Sequence, residues 1–168
     1  MLVNIMGERK KFLMDRKTKK SLEYGNKKIG FSCSCFDLLH AGHILMLKDS
    51  KEQCDYLIVG LQTDPTIDRP EKNKPIQSFE ERYIQLQAVK YIDEIFVYET
   101  EEDLYKKILY FNPDVRILGS DYNIPGKRFT GDDLNIPIYF HKRKHNYSST
   151  NLRGSIVSEY LHREDKTG

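Results

Sequence analysis

Five short apolar runs, "KIGFSCSC" (28–35), "DYLIVGLQT" (55–63), "EIFVY" (94–98), "DVRILG" (114–119) and "IPIYF" (136–140), recur along the chain with helix-patterned stretches between the first four. That alternation constrains the fold more than any other feature. Strands separated by helices pair in parallel through right-handed crossovers, and the sheet is then covered by helices on both faces. The spacing predicts an α/β fold with a doubly wound, parallel, five-stranded sheet in a single domain. A helix is expected from Ala41 to Glu52. A second opens at Ser78 with a capping box completed by Glu81 and runs through "SFEERYIQLQAVKYI". "TEEDLYKKILYF" is a third, capped by Thr100 and stopped by Asn112-Pro113, and "SSTNLRGSIVSEYL" a fourth, capped by Ser148 or Ser149.

The chain of 168 residues is long enough to bury a core without disulfides or metals. Three domains of composition are expected: a basic extension over 1–27, the folded domain over 28–162 and a tail over 163–168. Residues 1–28 hold nine Lys/Arg against three Asp/Glu, and the remainder holds 18 against 22. The basic head reads as a solvated extension. With positive charge confined there, nucleic acid is not expected as a partner. No apolar run reaches the ~18–20 residues of a membrane span. An odd set of three cysteines, Cys33, Cys35 and Cys54, without a secretion signal, points to reduced thiols and a cytoplasmic protein.

In sheets of this kind ligands gather beyond the carboxyl ends of the strands, where strand order switches. The first strand-to-helix turn, "CFDLLHAGH", is therefore the place to look, and it carries His40 and His43. Gly42 between them allows close approach of backbone or ligand. The free N–H groups of the helix start favour an anion. Two imidazoles one helical turn apart suit the crowded negative charge of a phosphoryl-transfer transition state. Taken alone, the pair is equally readable as two partly buried histidines or as metal ligands.

The pattern "FDLLHAGH" resembles the His-x-Gly-His signature of the cytidylyltransferase-like nucleotidyltransferases, which are Rossmann-like. The likeness continues through "CDYLIVGLQTD", "SFEERYIQLQAVKYIDEI", "ILGSDY" and "RKHNYSST", and in pattern it runs closest to the glycerol-3-phosphate cytidylyltransferases. The resemblance implies that His40 and His43 contact the triphosphate and stabilise the pentacoordinate phosphorus. Lys72 or Lys74 would supply a mobile cation, and Arg82 would lie near a nucleotide or acceptor phosphate. Asp121 and Arg143 would stand at the nucleoside and acceptor side, with Ser148, Ser149 and Thr150 on the β- and γ-phosphates. Phe36, Asp37, Gly42 and Gly119 belong to the same nucleotide-binding motifs. His141, His145 and His162 read as surface residues.

Three departures from the pattern bear on substrate choice: Ser34-Cys35 in place of Gly-Thr, "KHNY" inside the closing signature, and Tyr122 in place of Trp. The expected reaction is CMP transfer from CTP, with Mg2+ carried by the nucleotide, to a small phosphorylated alcohol of the glycerol-3-phosphate kind. ATP with a sugar phosphate or pantetheine phosphate is the alternative within the same chemistry. A nucleotide-binding regulator without turnover is the alternative outside it. No carboxylate cluster marks a metal site built by the protein. The resemblance also implies a homodimer.

Overall fold

The computed structural model describes residues 16–167. Five strands, β1 (Ile29–Ser34), β2 (Tyr56–Gln62), β3 (Glu94–Tyr98), β4 (Val115–Gly119) and β5 (Ile138–His141), form one sheet in the order β3-β2-β1-β4-β5. Every pairing is parallel, as runs buried on both faces require. The five expected strands are these five. The order reverses between β1 and β4, so the crevice for a ligand opens above the carboxyl ends of those two strands.

Five helices accompany the sheet among the described residues: α1 (Arg16–Tyr24), α2 (Ala41–Glu52), α3 (Phe79–Gln87), α4 (Glu101–Phe111) and α5 (Ser149–Thr167). A single 3-10 turn, Ser120–Tyr122, follows β4. Two apolar clusters bury opposite faces of the sheet. One joins Leu57, Val59, Leu61, Val115 and Ile117 to Leu47 of α2 and Leu86 of α3. The other joins Ile29, Phe31, Ile58 and Phe96 to Leu104, Ile108 and Phe111 of α4.

Local signals set the helix ends. Ser78 accepts from the Glu81 amide while Glu81 reaches back to the Ser78 amide, and Thr100 accepts from the Asp103 amide. Asn112 closes α4 in the left-handed conformation at φ 46°. Two boundaries differ from expectation. Helix α3 stops at Gln87, and residues 88–92 continue as tight turns that bury Val89 and pack Tyr91 and Ile92 on the first cluster. Helix α5 runs on to Thr167, through the stretch expected as a tail.

The basic head lies in part outside the described residues. From Arg16 to Tyr24 it is helical and mostly exposed, but anchored on one side: Lys20 pairs with Asp114 at 2.5 Å, and the Lys19 ammonium sits 3.3 Å over the Tyr110 ring. Tyr24 packs on the second cluster and donates to Glu94. No helix among the described residues is long and apolar enough to cross a membrane.

Candidate active site

The turn from β1 to α2 is built against the grain of its own backbone. Phe36 and Leu38 both take left-handed φ, 49° and 51°, which costs non-glycine residues roughly 1–3 kcal/mol each. The surroundings impose the shape. Phe36 is buried in the first cluster, and the Leu38 amide donates to the Gln77 side chain at 2.8 Å. Asp37 between them accepts from the Ile76 and Gln77 amides at 3.0 Å each and pairs with Arg153 of α5 at 2.6 Å. Burial works to raise the Asp37 pKa, but the two amides and Arg153 outweigh it and hold the group below the usual carboxylate range. Asp37 was expected to bind nucleotide. With its carboxylate spent on two amides and an arginine, it ties the turn to the loop before α3 and to α5 instead.

The two histidines cap α2 reciprocally. His40 is the N-cap residue, and its Nδ1 accepts from the Gly42 amide at 3.0 Å. His43 in turn accepts at Nδ1 from the His40 amide at 3.4 Å. The rings stack with centroids 4.0 Å apart. Accepting at Nδ1 fixes the tautomer, so each ring carries its proton on Nε2. That of His40 faces the Ser149 hydroxyl at 3.3 Å, and the same hydroxyl donates to the Asp37 carbonyl. Burial pulls the His43 pKa down to about 4, helped by the His40 ring and by Arg143 and opposed by Asp37. Burial, then Arg143 and His145, lowers His40 as well. At neutral pH both are neutral donors rather than cations.

Gly42 is required by that stack. A Cβ there would lie 2.8 Å from His40 Cε1 and 3.0 Å from His145 Cε1. His145, read from sequence as a surface residue, is thus at the site. It stacks on Tyr147, and neither of its buried ring nitrogens has a partner. His141 is likewise 9% exposed rather than on the surface, with Nδ1 2.6 Å from Asp49, itself bonded by the Tyr139 hydroxyl. Both line the pocket of about 390 Å³ that also holds His40, His43, Arg143 and Ser148–Thr150. His162 is exposed, as expected. The extra histidines were not legible because they come from separate loops and strands, with no spacing to tie them to the first pair.

The closing segment arrives at the same pocket. Ser148 caps α5 by accepting from the Asn151 amide, and Arg143 donates to the Tyr147 carbonyl. Thr150 is exposed at the rim. Gly119 and Asp121 border both this pocket and a second cavity of about 450 Å³ at the carboxyl ends of β1, β2 and β4. Lys127, not singled out from sequence, donates to the Asp121 carbonyl and lies 4.6 Å over the Tyr122 ring. Both lysines are exposed; Lys72 lines the second cavity, and Lys74 lies 4.0 Å from Asp64. The three cysteines are free, and burial pushes the Cys33 thiol in that cavity up to about 11, so it is no nucleophile at neutral pH.

Arg82 directs its guanidinium to the backbone. Expected beside a phosphate, it is 2% exposed and donates to the carbonyls of Cys35 at 2.9 Å, Gln62 at 2.7 Å, Thr63 at 2.5 Å and Gln77 at 3.3 Å. The carbonyl ends of β1 and β2 take its charge, and it clamps the rim of the crevice. Among the described residues no group of three or more His, Cys, Asp and Glu side chains is placed to hold a metal ion.

Residues 31–155 match the family model described as cytidylyltransferase-like. The Bifunctional protein HldE of Wolinella succinogenes is 38% identical over 120 residues, covering 71% of this chain and 25% of that protein. Its counterpart from Caulobacter vibrioides is 33% identical over 130 residues, covering 74% and 26%. The chain thus spans about a quarter of the length of these relatives. The lipopolysaccharide core biosynthesis protein from Thermoplasma volcanium superposes with a TM-score of 0.60 at 25% identity, over 71% of this chain and 100% of that one. The pantoate-beta-alanine ligase from Francisella tularensis shares the fold, with a TM-score of 0.55 at 21% identity over 83% of this chain and 71% of that one.

Proposed function

The chain belongs to the cytidylyltransferase-like nucleotidyltransferases, and from that premise we propose that it transfers a nucleotidyl group from a nucleoside triphosphate to the phosphate of a small acceptor. An acceptor phosphate oxygen attacks the α-phosphorus, the new P–O bond forms, and the α–β bridging bond breaks. Pyrophosphate leaves with the electron pair. Mg2+ would come with the nucleotide, where it would offset charge on the phosphates. The observation that carries this reading is the reciprocal His40–His43 cap at the switch between β1 and β4.

Both rings line the pocket at a helix N-terminus, and their Nε2–H donors, held by the cap, need little reorganisation as charge builds on the phosphoryl oxygens. Being neutral, each ring keeps Nδ1 as the acceptor of a cap amide and Nε2–H as a donor. At 3.3 Å the His40–Ser149 contact is long, so a phosphoryl oxygen competes for the same donor. Ser148, Ser149 and Thr150 at the start of α5 suit the β- and γ-phosphates. Lys72, which lines the cavity, fits the mobile cation better than Lys74. No side-chain nucleophile is called on, because positioning and charge neutralisation supply the rate.

For the donor and acceptor we favour ATP and a sugar phosphate. The relatives support this choice: they are HldE proteins and a lipopolysaccharide core biosynthesis protein, the latter named for a sugar-built surface polymer. CTP with a glycerol-3-phosphate-like acceptor is the second reading, supported by the motifs "SFEERYIQLQAVKYIDEI" and "ILGSDY". Pyrophosphate release with ATP and CTP in parallel, each over a panel of sugar and polyol phosphates, decides between them. A homodimer is also part of the reading. The exposed apolar residues Ile156, Val157, Tyr160 and Leu161 of α5 support it, and light scattering on wild type and Ile156→Glu tests it.

A further inference from the structure

Arg116 is the second residue of β4, opposite Phe31 of β1, which lies three residues below the carboxyl end of its strand. At ~3.3 Å per residue its backbone is about 10 Å beneath the crevice. Its neighbour Ile117 joins the cluster under α2, so Arg116 points to the other face, toward α4. There its side chain enters the 450 Å³ cavity. The residue is only 2% exposed, yet Nε and Nη1 have no hydrogen-bond partner.

A guanidinium keeps its charge under any ordinary condition, and burying one without acceptors is costly. The surroundings offer little compensation. The Phe129 ring lies 5.4 Å from the guanidinium, a cation–π contact that leaves Nε and Nη1 without an oxygen acceptor. The carboxylates that act on it through space, Asp132 and Glu101, already hold other partners: Asp132 pairs with Arg128 at 2.5 Å, and Glu101 with Arg69 at 2.9 Å and with the Thr130 hydroxyl. Nε and Nη1 are thus free to take the acceptor groups of a ligand. The cavity is of a size for a small phosphorylated sugar or polyol. It shares Met46, Gly119 and Asp121 with the histidine pocket, so one acceptor molecule spans from the reacting phosphate to the guanidinium.

Resting on the transfer reading above, we propose that Arg116 selects acceptors bearing a second acidic group, a carboxylate or another phosphate, at the end away from the phosphate that reacts. Both groups offer the paired oxygens that a guanidinium fork binds. The acid-free analogue of such an acceptor leaves the buried arginine as it stands in this structure, without partners.

The test uses matched acceptors with the full chain: glycerol phosphate against phosphoglycerate, and glucose-1-phosphate against glucuronic-acid-1-phosphate and glucose bisphosphate. Pyrophosphate release gives kcat/KM for each. The acid-bearing member of a pair is expected to be preferred by about thirtyfold or more, the scale of a buried charge pair losing one partner. In Arg116→Met that ratio falls to near one, and Arg116→Lys restores part of it. Whichever acid is preferred, carboxylate or phosphate, identifies the group. Equal use of both members by the wild type, or loss of all acceptors alike in Arg116→Met, overturns the proposal. Calorimetric binding of phosphoglycerate without nucleotide separates the two readings. Binding that depends on Arg116 without any turnover leaves the cavity assignment standing and the transfer reading failed. Turnover without an acid preference does the reverse, and absence of both sinks both.

Discussion

Arg82 and Arg116 are buried to the same 2% exposure, at opposite faces of one sheet, and their donors meet opposite fates. Arg82 spends its guanidinium on four backbone carbonyls around the rim of the crevice. Arg116 leaves Nε and Nη1 unpaired inside a cavity. Burial alone therefore says nothing about the role of a charged side chain; the count of its bonds does. The same contrast runs through the histidines. The His40 ring accepts from the Gly42 amide and the His43 ring from the His40 amide, while both ring nitrogens of His145 have no partner. Satisfied groups hold the site's shape, and unsatisfied ones wait for a ligand.

Breaking the satisfied arginine gives the largest effect. Arg82→Ala strips four carbonyls of their partner and should cost about 3–5 kcal/mol in urea unfolding. A change below ~1 kcal/mol would put the two arginines in the same class. Next come the histidine donors: His40→Ala and His43→Ala should each lower kcat by about 100- to 1,000-fold, as loss of one preorganised donor does. Stability then carries a pH signature of His43. Its folded pKa of about 4 lies below the ordinary 6.5, so the unfolded chain binds the extra proton first. Its contribution is fully present above about pH 6.5 and is lost as pH falls through 6.5 toward 4, by up to about 3 kcal/mol. His43→Gln should flatten that segment of the stability curve relative to wild type. The smallest effect belongs to the unsatisfied arginine: Arg116→Met should raise stability by about 1 kcal/mol, seen as a higher Tm without ligand. A fall of the same size would mean that the guanidinium already has the partners it needs.

Much of this was readable in the residues. Strands β1 to β5, the Ser78 and Thr100 caps and the Asn112 stop follow from runs and dipeptides that act within a few residues, so the pattern carries them. The His40–Gly42–His43 turn was legible for the same reason, though not the reciprocal cap. What escaped depends on contacts far apart in the chain. Arg82 was expected at a phosphate because a cation sits poorly in a helix's first turn. The carbonyls that take its charge lie up to 47 residues away, out of reach of any local pattern. Asp37 answers to Ile76, Gln77 and Arg153, and His141 to Asp49. Arg116 reads as one polar residue in an apolar run, and only the fold reveals the cavity around it.

The bond between His40 and Ser149 spans 109 positions of sequence. On a ribosome adding ~5–20 residues per second, the histidine turn emerges roughly 5 to 20 seconds before its partner helix is made. During that interval the nascent sheet lacks both the Arg153 tether of Asp37 and the hydroxyl facing His40. The ties that α5 makes to the histidine turn therefore form only after the last helix has been synthesised.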